Sequence, residues 1–170
     1  MDKRAFFDQY RSIVPAGSAF ENFLMTGGFM TAPASTKYHG AYEGGLLDHS
    51  LAVTNRLVDL TTKNGLVWQL PRSPIVVGLF HDICKCDQYV MLDGQYQYND
   101  KLLLKGHGDK SVMILSQFMS LTEEEVLCIR YHMGAYEKDD WDGFDRAIRK
   151  YPNVLWTHTA DMLASKVDGV

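Results

Sequence analysis

Residues 74–85 read PIVVGLFHDICK, an apolar segment that runs straight into a histidine and a carboxylate. Burying His81 and Asp82 at the end of Ile75, Val76, Val77, Leu79 and Phe80 is costly unless both are paired or bound to a metal. By periodicity alone the run is either a buried strand or a buried helix. A helix is favoured, because the other residues of metal-ligand type fall on helical segments.

Upstream, residues 37–65 (KYHGAYEGGLLDHSLAVTNRLVDLTTKNG) read as a loop that becomes a helix. Gly40, Gly44 and Gly45 permit close backbone approach or positive φ. Leu46, Leu47, Leu51, Val53, Val58 and Leu60 then mark a helix that stops near Asn64-Gly65, with His49 in its first turns. Further upstream, Phe6, Phe7, Tyr10 and Val14 share one side of a helix over 4–14 that Pro15 and Gly17 end. Ser18 caps a second helix through Phe20, Phe23 and Leu24, closed by Gly27-Gly28. These aromatic stripes are packing elements.

Downstream, residues 88–99 alternate around Asp93-Gly94, a β-hairpin pattern. A helix opens at His107 and carries Val112, Leu115 and Met119. The next has a capping box from Thr122 to Glu125, His132 near its end and Gly134 as its stop. After an acidic, aromatic loop, Asp142 is expected to cap a short helix through Arg149. Pro152 is placed for the first turn of a last helix, with Asp161 in its middle. The expectation is an all-α bundle with a small β-hairpin insertion near residues 88–99. It forms a single domain over 1–170, in which N-terminal helices 1–37 pack on a core of 38–167.

With 170 residues, 46% of them hydrophobic, the chain suffices for one packed domain. Its net charge of −4 is interspersed, and no Lys/Arg block marks a nucleic-acid footprint, so strong duplex binding is not expected. The N-terminus is too polar for a signal peptide, and no apolar run approaches the roughly 18 residues that span a bilayer. Cys84, Cys86 and Cys128 are an odd number, and Cys84 and Cys86 are too close for an ordinary disulfide. A reduced, cytoplasmic setting is the simplest account. Both cysteines are read as packing residues beside Lys85, with a thiolate zinc site as the minor alternative.

His49, His81, Asp82, His107, His132 and Asp161 recur at intervals of about one helix plus one connection. That suits a bundle whose helices each contribute an inward-facing ligand. Mixed imidazole and carboxylate ligands fit divalent transition ions (Mn, Fe, Ni, Co or Zn) better than Ca or Mg alone. A pair of such ions about 3.5–4 Å apart would suit in-line phosphoryl displacement. Lys110 and Arg130, beside helix ends, are read as solvated charges. His158, one turn before Asp161, is read as packing.

The motifs GGLLDHS, LFHDICK, GHGDKS, RYHMGAYE and ADMLASK together resemble those of the HD-domain metal-dependent phosphohydrolases, over roughly residues 38–167. The resemblance implies that His49, His81, Asp82 and Asp161 hold one metal. Asp82 would bridge to a second, held by His107 and His132. Lys85, in the HDxxK continuation, would act catalytically by neutralising a substrate phosphate. Locally the chain is most similar to the HD domain of bacterial 3′–5′ exoribonucleases, whose HHAYxGGLLEH entry is matched by YHGAYEGGLLDH. That match implies substrate contacts from His39 and Tyr42. Tyr38 replaces the first histidine of the entry, and 170 residues leave no room for the OB-fold module that precedes the HD domain in those enzymes. Processive RNA degradation is therefore not expected. The implied activity is hydrolysis of a phosphoester of a nucleotide, dinucleotide or short oligonucleotide. An HD-type di-iron oxygenase and a non-catalytic nucleotide-binding module are the alternatives.

Overall fold

The computed structural model describes residues 2–134 and 140–170, and among them the chain is mainly helical. The helices are α1 (Lys3–Gln9), α2 (Ala19–Thr26), α3 (Gly45–Asn64), α4 (Ser73–Phe80), α5 (Gly108–Leu115), α6 (Glu123–Arg130), α7 (Trp141–Lys150) and α8 (Asn153–Leu163). A hairpin, β1 (Tyr89–Leu92) and β2 (Gln95–Tyr98), lies between α4 and α5, so the all-α class with one small hairpin is what this sequence forms. Asp93 (φ 51°) and Gly94 (φ 76°) both take the left-handed region, as a two-residue hairpin turn requires. No helix among the described residues is long and apolar enough to cross a membrane.

Polar side chains set the helix starts. Asp2, Ser18 and Thr122 accept backbone N–H bonds at the heads of α1, α2 and α6, and the expected capping box at Thr122 and Glu125 is complete. Three boundaries differ from expectation. α1 ends at Gln9, and residues 10–14 tighten into turns ahead of Pro15, with Tyr10 and Val14 still buried. α7 is capped by Asp140 rather than Asp142, because the Asp140 carboxylate takes both the Gly143 N–H and the Tyr131 hydroxyl. α4 stops at Phe80, leaving His81 at its C-cap and Asp82 beyond it, before a short 3₁₀ turn over Ile83–Asp87. The acidic loop expected after Gly134 lies outside the described residues as far as Asp139.

Two adjacent buried carboxylates on α6 register the helices that matter most. Glu125 accepts the Ser73 hydroxyl at the head of α4 (2.9 Å) and closes its own capping box. Glu124 accepts the Asn153 amide at the head of α8 (2.8 Å) and the Gln69 N–H (2.7 Å). With their N-termini tied at one level, α4, α6 and α8 run side by side. Their far ends, about eight residues or roughly 12 Å along, deliver His81, His132 and Asp161 to one place. On the opposite side, Phe80 meets Phe20 and Phe29 (ring centroids 5.0 and 5.7 Å), and Phe29 meets Phe6, so α1 and α2 pack on this core.

Candidate metal centre

The residues of ligand type converge, mostly from helix ends rather than from inward helix faces as expected. His49 lies early in α3 and Asp161 near the end of α8. His81 is the C-cap of α4, His107 the N-cap of α5, and His132 follows the C-cap of α6. Helix ends serve here because their last carbonyls lack the regular i+4 N–H partner. The Nδ1–H of His81 donates to Gly78 O (2.9 Å), and that of His132 donates to Ile129 O (2.7 Å), each three residues back. His49 Nδ1 likewise donates to Val170 O (2.9 Å). A carbonyl only accepts, so each ring carries its proton on Nδ1 and turns the Nε2 lone pair inward.

Those lone pairs crowd around Asp82. His49 Nε2 is 3.3 Å from His81 Nε2, 3.2 Å from Asp161 Oδ1 and 3.7 Å from Asp82 Oδ2. The same Asp82 oxygen is 3.6 Å from His81 Nε2 and 2.6 Å from the Lys85 ammonium. The other oxygen, Oδ1, faces His132 Nε2 at 3.3 Å and His107 Nδ1 at 3.9 Å. One buried carboxylate thus presents its two oxygens to two different sets of histidines.

The electrostatics match this crowding. Burial raises the Asp82 carboxyl, but the Lys85 ammonium first, and then the imidazoles of His81 and His132, outweigh it and hold the group well below the usual carboxylate range. Asp161 is lowered too, the neighbouring His49, His81 and His132 overcoming burial. Burial pushes His81 down to about 4, so its ring is neutral at pH 7. Burial opposes charge on His132 and Lys85 as well, yet Asp82 raises both.

These residues fit a metal. Asp82 Oδ1 and His132 Nε2 are buried, 3.3 Å apart, and neither has a hydrogen-bond partner among the described residues. Inward lone pairs and two carboxylates need positive charge among them. Ligand nitrogens about 2.0–2.1 Å from one tetrahedral ion stand roughly 3.3 Å apart, which is the spacing seen here. His49, His81 and Asp82 form one group of potential ligand atoms all within 4.8 Å of one another. His81, His132 and Asp161 form a second such group, and Asp82, Cys84 and His107 a third.

The remaining expected residues divide. Lys85 is buried against Asp82. His39 lies over the centre, its ring centroid 4.9 Å from that of His49. Burial, helped by His49 and Lys85, pushes His39 down to about 4, and its buried Nε2 is unpartnered. It is held there by a loop that folds on itself: Ala34 N donates to Gly40 O, and a Cβ on Gly45 would lie 2.0 Å from that same oxygen. Tyr42 instead turns its hydroxyl to Asp48 (3.0 Å) and remains half-exposed.

Three residues do more than their sequence reading expected. Lys110 is buried and paired with Asp87 rather than solvated. His158 Nδ1 bonds the His132 carbonyl (2.7 Å), supporting a residue of the candidate centre rather than merely packing. Cys84 Sγ lies 3.7 Å from His107 Nδ1, although burial pushes its thiol up to about 12. The signal for His158 was its place one turn from Asp161, and that for Cys84 its place two residues after Asp82. Beside His107 opens a cavity of about 390 Å³, walled by the hairpin and the 99–107 loop, with Tyr98, Leu102, Leu104 and Lys105 in its lining.

No family model and no solved structure matches this chain. It is similar to the dihydroneopterin 2′,3′-cyclic phosphate phosphodiesterase of Methanocaldococcus jannaschii, with 36% identity over 73 residues. The matched stretch is 41% of this chain and 29% of the relative, so less than a third of the relative's length is spanned.

Proposed function

We propose that this chain is an HD-type metal-dependent phosphohydrolase acting on a phosphoester of a nucleotide, dinucleotide or molecule of similar size. The observation that carries the reading is Asp82, whose two buried oxygens face separate histidine sets with inward lone pairs. The similarity to a cyclic-phosphate phosphodiesterase supports the same chemistry. Under this reading His49, His81, Asp82 and Asp161 hold one divalent transition ion, and Asp82, His107 and His132 hold a second.

Bound there, the ions would draw charge from the phosphoryl oxygens and make a water acidic enough to attack near neutral pH. The chain's own contribution is placement. Asp82 holds both sites to one carboxylate, and backbone carbonyls fix the imidazole faces. Lys85 adds a buried positive charge that offsets that of the substrate phosphate. His39 overhangs the centre, where it limits water and contacts the substrate, with Tyr42 further out on the same loop. The 390 Å³ cavity beside His107 takes the organic part of the substrate; its size suits a small molecule rather than a long strand. The chain acts as one domain in which residues 1–37 buttress the centre.

The test is hydrolysis of bis-p-nitrophenyl phosphate and p-nitrophenyl phosphate with Mn, Ni, Co, Fe and Mg. Wild type and Asp82→Ala are compared, with metal content by mass spectrometry. Diester cleavage with about two ions per chain, both lost in the variant, is expected. Bound metal with no hydrolysis of either ester or of a panel of cyclic nucleotides would overturn the proposal.

A further inference from the structure

Among the described residues, Cys84 is the one member of the potential ligand groups that this reading leaves unused. We propose that Cys84 Sγ is a ligand of the second ion, together with Asp82 Oδ1 and His107 Nδ1, and that it biases this position toward soft or borderline ions such as Zn²⁺, Co²⁺ and Fe²⁺ over Mn²⁺ and Mg²⁺. The inference rests on the two-ion reading above and adds a ligand and a selectivity to it.

The geometry argues for it on three grounds. First, ligand atoms of Asp82, Cys84 and His107 all lie within 4.8 Å of one another, with Sγ 3.7 Å and Oδ1 3.9 Å from His107 Nδ1. An ion about 2.3 Å from sulfur and about 2.0–2.1 Å from nitrogen and oxygen places such atoms roughly 3.3–3.6 Å apart. The Sγ–Nδ1 spacing lies about 0.1 Å beyond this range and the Oδ1–Nδ1 spacing about 0.6 Å beyond its lower end, so binding draws the carboxylate and imidazole together. Second, Asp82 Oδ1 is buried without a hydrogen-bond partner among the described residues and faces this position.

Third, Cys84 and His107 are placed by the same element. The Cys84 N–H donates to Ser111 Oγ (3.2 Å), one turn along α5 from its N-cap, His107. Cys84 is fully buried and free of any disulfide, so its thiol is held rather than swinging at the surface. Cys86 and Cys128 are in none of the potential ligand groups among the described residues. On binding, the ion displaces the thiol proton, which passes to solvent, and one sulfur–metal bond forms. Thiolate selects soft and borderline ions, whereas Mg²⁺ and Mn²⁺ favour oxygen.

Titration of the metal-free full-length chain with Co²⁺ tests this optically, without reference to turnover. The second equivalent should bring a near-ultraviolet sulfur-to-cobalt charge-transfer band in wild type. Cys84→Ser should lose that band, keep the first equivalent and bind the second 10–100-fold more weakly. A Cys86→Ser/Cys128→Ser double variant, which leaves Cys84 alone, should keep the band even if Cys84→Ser proves unstable. Two equivalents bound by wild type with no sulfur band would overturn the role of Cys84 while leaving the two-ion reading intact. Loss of the band in the double variant would do the same. Fewer than two equivalents in wild type would overturn both.

Discussion

The two sides of Asp82 are built to different standards of rigidity. On the Oδ2 side, His49 and His81 are wholly buried, their Nδ1 protons are locked on carbonyls, and Lys85 closes the floor. On the Oδ1 side, His132 is locked in the same way, but His107 is about a quarter exposed and sits where a loop enters α5, next to the cavity. A site that must grip an ion and also admit substrate gains from that division. Under the proposed function the closed side would bind its ion with little rearrangement, while the open side would adjust as a phosphate arrives. Under the two-ion reading proposed above, the difference implies that the second ion, not the first, should be the variable one.

The largest effect expected from breaking this contrast comes from His49→Ala set against His107→Ala. If the proposed ligand set holds, the first removes a ligand from the preformed side, next to Asp161 (3.2 Å), so tight retention of both ions should be lost. Activity should then fall by more than the roughly 10–100-fold typical of outer-shell changes. His107→Ala should keep one tightly held ion and lose only the second. Mass-spectrometric metal content after dialysis reads the outcome, and equal losses in the two variants would remove the asymmetry. Chelation should also lower the melting temperature of wild type more than that of His49→Ala, because a bound ion stabilises only the folded chain.

Glycine contacts offer a finer way to move one side against the other. A Cβ on Gly108 would lie 2.3 Å from Arg130 O, a backbone atom, so Gly108→Ala must part α5 from the end of α6. That displaces His107 relative to His132. We predict a loss of about 1–3 kcal/mol and a weaker second ion, with the first retained. Gly78→Ala should do the reverse. Its Cβ would lie 2.6 Å from Thr54 Cα, parting α3 from α4 and moving His49 from His81. Denaturation and cobalt titration of both variants decide the matter, and the prediction fails if the same ion is lost from each.

How far the centre could be read from the sequence depends on the kind of interaction. The apolar run into His81-Asp82, the Asp93-Gly94 hairpin and the Thr122 capping box are local patterns, and each forms where its residues predict. The spacing of His49, His107, His132 and Asp161 anticipated that they would gather. It did not show that His81 and His132 leave their helices at the last turn, since that depends on which carbonyls the packing leaves free. Nor could it show that Glu124 and Glu125 face two different helices, because a run of three glutamates in a first turn also describes a solvated helix start. Cys84 reaches His107 only because the 3₁₀ turn after Asp82 folds back on α5. Cys-x-Cys spacing does not contain that contact.

The smallest effect expected lies in the frame that serves both sides at once. Thr122→Ala removes the hydroxyl that accepts the Glu125 N–H, which costs about 1 kcal/mol and roughly 2–4 °C in melting temperature for a chain of this size. Glu125 keeps its bond to Ser73, so the level at which α4 and α6 start is preserved and both ions should bind within about twofold of wild type. Glu125→Ala is the sharper partner experiment. It strips the capping box and leaves the buried Ser73 hydroxyl without its acceptor, so the stability loss should exceed that of Thr122→Ala by about 1–3 kcal/mol. If the tied helix starts do set where His81 and His132 arrive, metal affinity should weaken on both sides of Asp82 together in Glu125→Ala and on neither in Thr122→Ala. A stability loss in Glu125→Ala with both affinities untouched would show that the histidines are placed by their own carbonyl contacts and not by the distant helix starts.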